Sequence, residues 1–358
     1  MLNRRDFLRS TGFLSACAAV ASQSRSAESV AAESGASKIA AIEIVRYKGP
    51  RSTADHLEIA ADTGPVGRFG PLGWGLSDRL REMFPKLRPL LVDCNPLDRD
   101  LEFQAFWNAL HPDNNLAAYA KGIDPLTGEH IWGTTRDGRH TDTGRRIMAL
   151  SAVDNALWDL RGKLRGQPVY RLIGNADRRK IDVYTRVGEG RDLDKARRQA
   201  RELYDNGHKH QKWYFVHGPK DGKEGLRACL ELVRVLREEL PDAFLMFDNH
   251  SMRHQIGPDW VVELAKRMLP YNPFWLEEPT APEDVEGYAK IKGETGITIA
   301  GGEHHFTRWQ IEPLLDRNCL DWVQSDPDWC GGVSEWLRVC ELARGHSGVH
   351  VVPHCDNF

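Results

Sequence analysis

Residues 273–303 read PFWLEEPTAPEDVEGYAKIKGETGITIAGGE, and this stretch decides the fold. It opens and closes with a short apolar run, residues 273–278 and 297–303, and each run ends on glutamate. Both runs are rich in aromatic or β-branched residues and are apolar nearly throughout, which is typical of strands buried on both faces. The stretch therefore predicts two parallel strands joined by a crossover segment.

The same alternation extends along most of the chain. Seven short apolar runs occur at residues 181–187, 211–216, 244–249, 273–278, 297–303, 320–326 and 349–354. Longer segments with apolar residues spaced three and four apart lie between them, such as residues 192–205, 225–240 and 333–344. This repeat predicts an α/β fold, in which a parallel sheet closes as a (β/α) TIM-type barrel.

The preceding segment follows another pattern. Residues 38–47 and 56–62 alternate like antiparallel strands, and Asp62-Thr63-Gly64-Pro65 supplies turn chemistry before a third short run. Helical segments are expected near residues 76–83 and 100–110. We predict an α+β capping domain over residues 38–142 and a barrel domain over residues 143–358, which a helix at 143–164 opens.

Composition favours a folded protein that acts on a small molecule. The 48 Lys and Arg residues nearly balance the 51 Asp and Glu residues, which gives a net charge of -3. The composition therefore lacks the excess of basic residues that is typical of proteins that bind nucleic acid or an anionic membrane. None of the seven cysteines lies in a C-x-x-C motif, so no zinc or redox site is indicated. Buried thiols are expected, and one disulfide stays open as an alternative.

The first 27 residues resemble an export signal. Arg4 and Arg5 precede Phe-Leu and a weakly apolar stretch too short to span a bilayer, which is the twin-arginine pattern. We predict a periplasmic protein, cleaved after Ala21 or Ala27, with a lipoprotein box ending at Cys17 as an alternative.

Acidic residues close three consecutive predicted strands: Asp248, Glu277 and Glu303. Because the carboxyl ends of barrel strands face one mouth, we expect these side chains to converge. A single strand-end carboxylate is more often a solvated charge or a helix cap, but three in succession favour a metal site. Three hard oxygen ligands suit Mg²⁺.

The last two predicted strands end in Asp326 and His354. An aspartate beside a histidine can fix the imidazole tautomer and raise its basicity, so His354 is a candidate general base. Lys212, on the second predicted strand, is a further candidate, since a neighbouring metal ion would depress the pKa of its amine. The alternatives are a packing histidine and a surface lysine.

This order of residues resembles the enolase superfamily, in particular the mandelate racemase and muconate lactonizing enzyme group. Residues 149–174 resemble the barrel-entry signature of that group. Three further motifs are similar to those of L-rhamnonate dehydratase and related acid-sugar dehydratases: residues 302–305 (GEHH), 329–332 (WCGG) and 351–354 (VVPH).

The resemblance implies a role for each candidate residue. It implies metal ligation by Asp248, Glu277 and Glu303, His354 as base with Asp326 as its partner, and a catalytic or substrate-contacting role for Lys212. The implied reaction is Mg²⁺-dependent dehydration of an aldonate or aldarate to a 2-keto-3-deoxy acid through an enediolate. A homo-oligomer is also implied.

Three features depart from the family pattern. The second strand carries one lysine where the group usually has Lys-x-Lys, and the cap loop at residues 47–56 is short. The sequence given stops at Phe358, so the barrel is expected to lack its last strand, and a chain with that open edge is expected to aggregate without turnover. Two other functions therefore stay open: a racemase or epimerase using Lys212 and His354, and a non-catalytic remnant.

Overall fold

The computed structural model describes residues 37–49, 52–98, 101, 142–174, 180–249 and 257–354. The predicted export signal, residues 1–27, and nearly all of the predicted helix at 100–110 lie outside these ranges. Within them, no helix has the length and apolar character needed to cross a bilayer.

An antiparallel sheet and one helix form the described part of the cap. Strands β1 (Ile39–Lys48), β2 (Thr53–Ala61) and β3 (Val66–Phe69) pair in that order, with the predicted turn between β2 and β3. Helix α1 (Leu76–Leu91) is twice the length predicted. It continues because Leu80, Phe84, Leu87 and Leu91 keep one buried face despite two internal prolines.

Helix α2 (Asp142–Arg165) packs one face into the cap. Ile147, Val153 and Leu160 share a core with Ile39 and Leu57 of the sheet. The approach is closest at Gly67 in β3, where an added Cβ would lie 2.1 Å from the carbonyl oxygen of Ala156. A glycine is required here because no side chain fits between the strand and the helix.

We expect Gly67→Ala to lower the free energy of unfolding by about 1–3 kcal/mol, because the new methyl group must push β3 away from α2. Gly73→Ala is the matched control, since a Cβ there meets nothing within 4 Å. Urea denaturation of both variants is the measurement. Equal stability of the two variants would contradict the close approach.

Seven parallel strands form the second sheet. They are β4 (Thr185–Glu189), β5 (His210–Tyr214), β6 (Phe244–Asp248), β7 (Trp275–Glu277), β8 (Ile299–Gly301), β9 (Trp322–Val323) and β10 (His350–Val351). Each strand pairs with its sequence neighbours, so the sheet order follows the chain order. The prediction of a parallel (β/α) barrel with an α+β cap is confirmed.

Helices cover the outer face of this sheet. After the short helix α3 (Val169–Ile173), they are α4 (Leu193–Asp205), α5 (Gly222–Glu239), α6 (Pro258–Met268), α7 (Val285–Thr295), α8 (Arg308–Asp316) and α9 (Val333–Arg344). Leu245, Leu276 and Val323 point outward into the core shared with these helices. Of the described cysteines, Cys229, Cys319, Cys330 and Cys340 are buried, Cys94 is half-buried, and none forms a disulfide.

Aromatic side chains fill the inner face of the sheet. Met246, Trp275 and Trp322 form a separate cluster there, and the Trp275 and Trp322 rings lie 5.7 Å apart. Because side chains alternate along a strand, the residue two positions after each inward residue points inward as well. This alternation brings Asp248 and Glu277 to the carboxyl end of the interior, as the sequence predicts.

The two outer strands of the described sheet approach one another. Tyr184, immediately before β4, donates its hydroxyl hydrogen to the carbonyl oxygen of His354, which follows β10, over 3.3 Å. The Tyr184 and Trp275 rings also pack in a T-shaped arrangement, with their centroids 5.6 Å apart. The sheet therefore curves around its aromatic interior.

Candidate active site

Lys212 lies between two carboxylates at the mouth of the barrel. Its ammonium nitrogen is 3.0 Å from Asp248 Oδ2 and 2.5 Å from Glu277 Oε1, and all three side chains are buried. Strands β5, β6 and β7 are adjacent, so the three residues face the same interior. The alternative of a surface lysine is wrong.

Two carboxylates set the charge environment of Lys212. Burial lowers the pKa of this amine, but the charges of Asp248 and Glu277 outweigh burial and raise it well above the ordinary value. Beside these carboxylates the lysine is a protonated counterion. The lowering of this pKa by a neighbouring metal ion stays a prediction.

Glu303 reaches the mouth through an irregular backbone. Gly302 adopts φ 126°, and an added Cβ there would lie 3.0 Å from the backbone nitrogen of Gln324. Burial raises the pKa of Glu303 to about 8, although the nearby His354 imidazole lowers it. Burial and the charge of Asp248 likewise raise the pKa of Glu277 to about 7. Several buried carboxylates this close together repel one another, so a nearby cation stabilises their ionised forms.

His354 lies between Asp326 and Glu303. Its Nδ1 is 3.5 Å from Asp326 Oδ2, and its Nε2 is 3.5 Å from Glu303 Oε2. Burial lowers the pKa of the imidazole, but the charge of Glu303 and the contact with Asp326 outweigh burial and raise the pKa to about 9. The structure thus places the predicted base, its predicted partner and one predicted metal ligand together.

Sequence reasoning assigned no role to Glu278 and His304. The Nδ1 atom of His304 is 2.6 Å from Glu278 Oε1, and its Nε2 atom is 3.7 Å from Glu303 Oε1. Glu278 reaches this position because its φ of 42° breaks the strand alternation that would turn it away from Glu277. The only sequence signal was the proximity of both residues to predicted ligands.

These residues make a compact group of metal-ligand type. Among the described residues, ligand atoms of Glu278, Glu303 and His304 all lie within 4.8 Å of one another. This group shares Glu303 with the predicted set and differs from it in the other two members. Among the described residues the predicted set of Asp248, Glu277 and Glu303 does not form a group this compact, and the Lys212 ammonium group lies between Asp248 and Glu277.

A cavity of about 630 Å³ lies between the cap and the barrel. Trp74 and Asp55 line its cap side, and Trp329 lines its barrel side. The Trp329 ring centroid is 5.6 Å from that of His304 and 6.0 Å from that of His354. Trp329 therefore lies between the cavity and the two imidazoles of the mouth, neither of which lines the cavity.

Two family models match this chain. Residues 112–174 match the mandelate racemase / muconate lactonizing enzyme N-terminal domain, and residues 195–358 match the enolase C-terminal domain-like family. The chain belongs to the enolase superfamily. The resemblance stated from the sequence is confirmed, and the carboxylates at the mouth lie within the second match.

Known relatives agree with this assignment. An L-rhamnonate dehydratase from Saccharopolyspora erythraea is 36% identical over 250 residues, which are 68% of this chain and 60% of that protein. The chain thus spans less than two thirds of the length of this curated relative.

Solved structures share the fold as well. The 3,6-anhydro-D-galactonate cycloisomerase from Zobellia galactanivorans is 25% identical with a TM-score of 0.65, covering 89% of this chain and 80% of that one. A mandelate racemase/muconate lactonizing protein from Paracoccus denitrificans is 25% identical with a TM-score of 0.69, covering 89% and 79%.

Proposed function

We propose that the protein is a hydro-lyase that dehydrates an acid sugar, an aldonate or aldarate, to a 2-keto-3-deoxy acid. The observation that carries this proposal is the buried His354, with Asp326 at one ring nitrogen and the carboxylate cluster at the other. The similarity to an L-rhamnonate dehydratase supports the acid-sugar class.

In this proposal His354 moves the proton. Asp326 would keep the hydrogen on Nδ1. A cation held by the carboxylates would offset the charge of Glu303, which raises the pKa of the imidazole. Nε2 would then be free to accept the proton from the carbon next to the substrate carboxylate. The resulting enediolate expels the β-hydroxyl group, which leaves as water with acid assistance. The enol product then takes its keto form. The cavity beside Trp329 would hold the rest of the sugar chain.

The residues at the mouth fit a divalent cation. Asp248, Glu277 and Glu303 are buried carboxylates, and the oxygen donors they offer are those that Mg²⁺ prefers. We propose that they hold Mg²⁺. The ion, when bound, would attract the substrate carboxylate and lower the energy of negative charge developing next to it.

The metal assignment gives a prediction that separates the two donor sets. We expect Asp248→Asn to weaken Mg²⁺ binding by more than about 100-fold, since removing a ligand costs more than the 10–100-fold loss typical of an outer-shell partner. Glu278→Gln, in the other donor set, should change it by less than about tenfold. Calorimetric titration with Mg²⁺ measures both variants, and the reverse order would place the ion at Glu278, Glu303 and His304.

The racemase alternative is disfavoured by the sequence of β5. A racemase needs a base on each face of the substrate, and β5 carries one lysine, Lys212, where the group usually has Lys-x-Lys.

Turnover with a library of aldonic and aldaric acids in Mg²⁺ buffer tests the proposal. We expect keto-acid formation from at least one member, with solvent deuterium incorporated into the substrate pool or product. Product that differs from substrate only in configuration would support the racemase. Binding without any product would support the non-catalytic remnant. Periplasmic export through residues 1–27 and homo-oligomerisation stay predictions from the sequence.

A further inference from the structure

The barrel-entry signature on α2 includes polar residues that do not pack against the capping domain. They face the loop at residues 324–332, which joins β9 to α9. This loop carries Asp326, the partner of His354, and Trp329, which lies against both imidazoles of the mouth. The contacts between α2 and the loop therefore bear on the site.

One group of contacts caps helix α9. Gly332 precedes the helix and has no side chain to cap it, so Asp154 of α2 supplies the acceptor. Asp154 Oδ2 accepts a hydrogen bond from the Ser334 backbone nitrogen at 2.9 Å, and its Oδ1 accepts one from the Ser334 hydroxyl at 2.7 Å. A Cβ at Gly332 would lie 2.3 Å from Asp154 Oδ2. A carboxylate at this end also complements the helix dipole.

Asn155 makes the second group of contacts and spans the loop. Its Oδ1 accepts from the Val333 backbone nitrogen at 3.0 Å, at the start of α9. Its Nδ2 donates to the Pro327 carbonyl oxygen at 3.3 Å and to Asp328 Oδ1 at 3.1 Å. One amide thus joins the middle of the loop and the start of α9 to α2.

The turn that Asn155 holds is the one that orients Asp326. Asp326 Oδ1 accepts from the Asp328 backbone nitrogen at 3.0 Å, and the Asp326 carbonyl oxygen accepts from the Trp329 backbone nitrogen at 2.9 Å. Pro327 and Asp328 lie within this turn. A shift of either residue moves Asp326 relative to His354 and moves Trp329 at the cavity wall.

We propose that Asn155 is a positioning residue, whose side-chain amide holds the turn at residues 326–329 so that Asp326 and Trp329 keep their places beside His354. Asn155 touches none of the candidate reacting groups itself. The effect of Asn155 on catalysis rests on the proposed function, whereas its hydrogen bonds to the loop do not.

Asn155→Asp separates the contact that caps α9 from the contacts that hold the turn. The aspartate keeps an acceptor for Val333, so α9 stays capped, but it cannot donate to Pro327 and it repels Asp328. We expect an unchanged melting temperature and backbone hydrogen exchange about tenfold faster in the peptide covering residues 326–331. We also expect kcat to fall by 10–100-fold, as for other outer-shell partners, with KM and Mg²⁺ affinity changed less than about threefold.

Asp159→Asn is the matched control on the same helix. Its carboxylate binds the Arg68 backbone nitrogen at 2.7 Å and Lys163, so it faces the cap strand. This variant should leave both kcat and exchange of the loop peptide unchanged. Asn155→Ala serves if Asn155→Asp does not fold.

Three outcomes decide the inference. Faster exchange together with lower kcat supports the positioning role. Unchanged exchange overturns it, and so does faster exchange at unchanged kcat. If the wild-type protein dehydrates no acid sugar, the proposed function fails. The hydrogen-exchange comparison by itself then still decides whether Asn155 holds the turn.

Discussion

His354→Asn should lose exchange of the substrate α-proton with solvent by about 10²–10⁴-fold, the range that general base catalysis supplies. Asparagine keeps a similar shape and a hydrogen-bond donor, but its amide does not accept a proton. Of the two candidate bases, His354 is the one that lies beside Asp326, and Lys212 lies between Asp248 and Glu277. Exchange that uses the Asp326–His354 pair therefore depends on the one imidazole.

The measurement is deuterium incorporation from D₂O, followed by NMR, at saturating Mg²⁺. His350→Asn is the control, because that histidine lies on β10, four residues before His354, and its ring packs on Trp322 with centroids 4.7 Å apart. It should keep the wild-type rate per folded molecule. Wild-type exchange in His354→Asn would move the role of base to another group, and Lys212 would be the next to replace.

Lys212→Met should lower the free energy of unfolding of the metal-free protein by about 3–5 kcal/mol at pH 8, the usual cost of removing one partner from a buried ion pair. Methionine fills a similar volume, so the loss comes from charge. Asp248 and Glu277 would remain buried without the ammonium group between them. Mg²⁺ should restore part of the loss, because a cation can replace the missing charge.

The same variant should show a marked pH dependence. The pKa of Glu277 is already raised to about 7, from an ordinary value of 4.5, and loss of Lys212 raises it further. A carboxyl group with a raised pKa binds its proton more tightly in the folded state. Its contribution to stability is therefore complete below pH 4.5 and is lost as the pH rises through the folded-state value.

Urea denaturation at pH 5 and pH 8 is the test for Lys212→Met, and the destabilisation should be smaller at pH 5. Lys209→Met, an exposed lysine three residues earlier, should change stability by less than about 0.5 kcal/mol at either pH. A loss below about 1 kcal/mol in Lys212→Met at pH 8 would show that the lysine is not the required counterion.

Strand periodicity in the sequence determined most of the site. Apolar runs that begin 23 to 33 residues apart specified parallel strands, whose carboxyl ends meet at one mouth. Within a strand the side chains alternate, so the inward positions of Met246 and Trp275 fix those of Asp248 and Glu277 two residues later. Asp326 and His354 follow successive strands, β9 and β10, so the strand pattern also predicts that both lie at this mouth.

Tertiary structure decided which backbone angles break that alternation and which contacts form between elements distant in the chain. Glu278 turns toward His304 only because its backbone adopts φ 42°, and Glu303 follows Gly302 at φ 126°; strand patterning does not encode either angle. The charge state of Lys212 depended on two carboxylates 36 and 65 residues away in the chain. The grip of Asn155 on Pro327 spans 172 residues, so only the packing of α2 against the barrel could bring those groups within hydrogen-bonding distance.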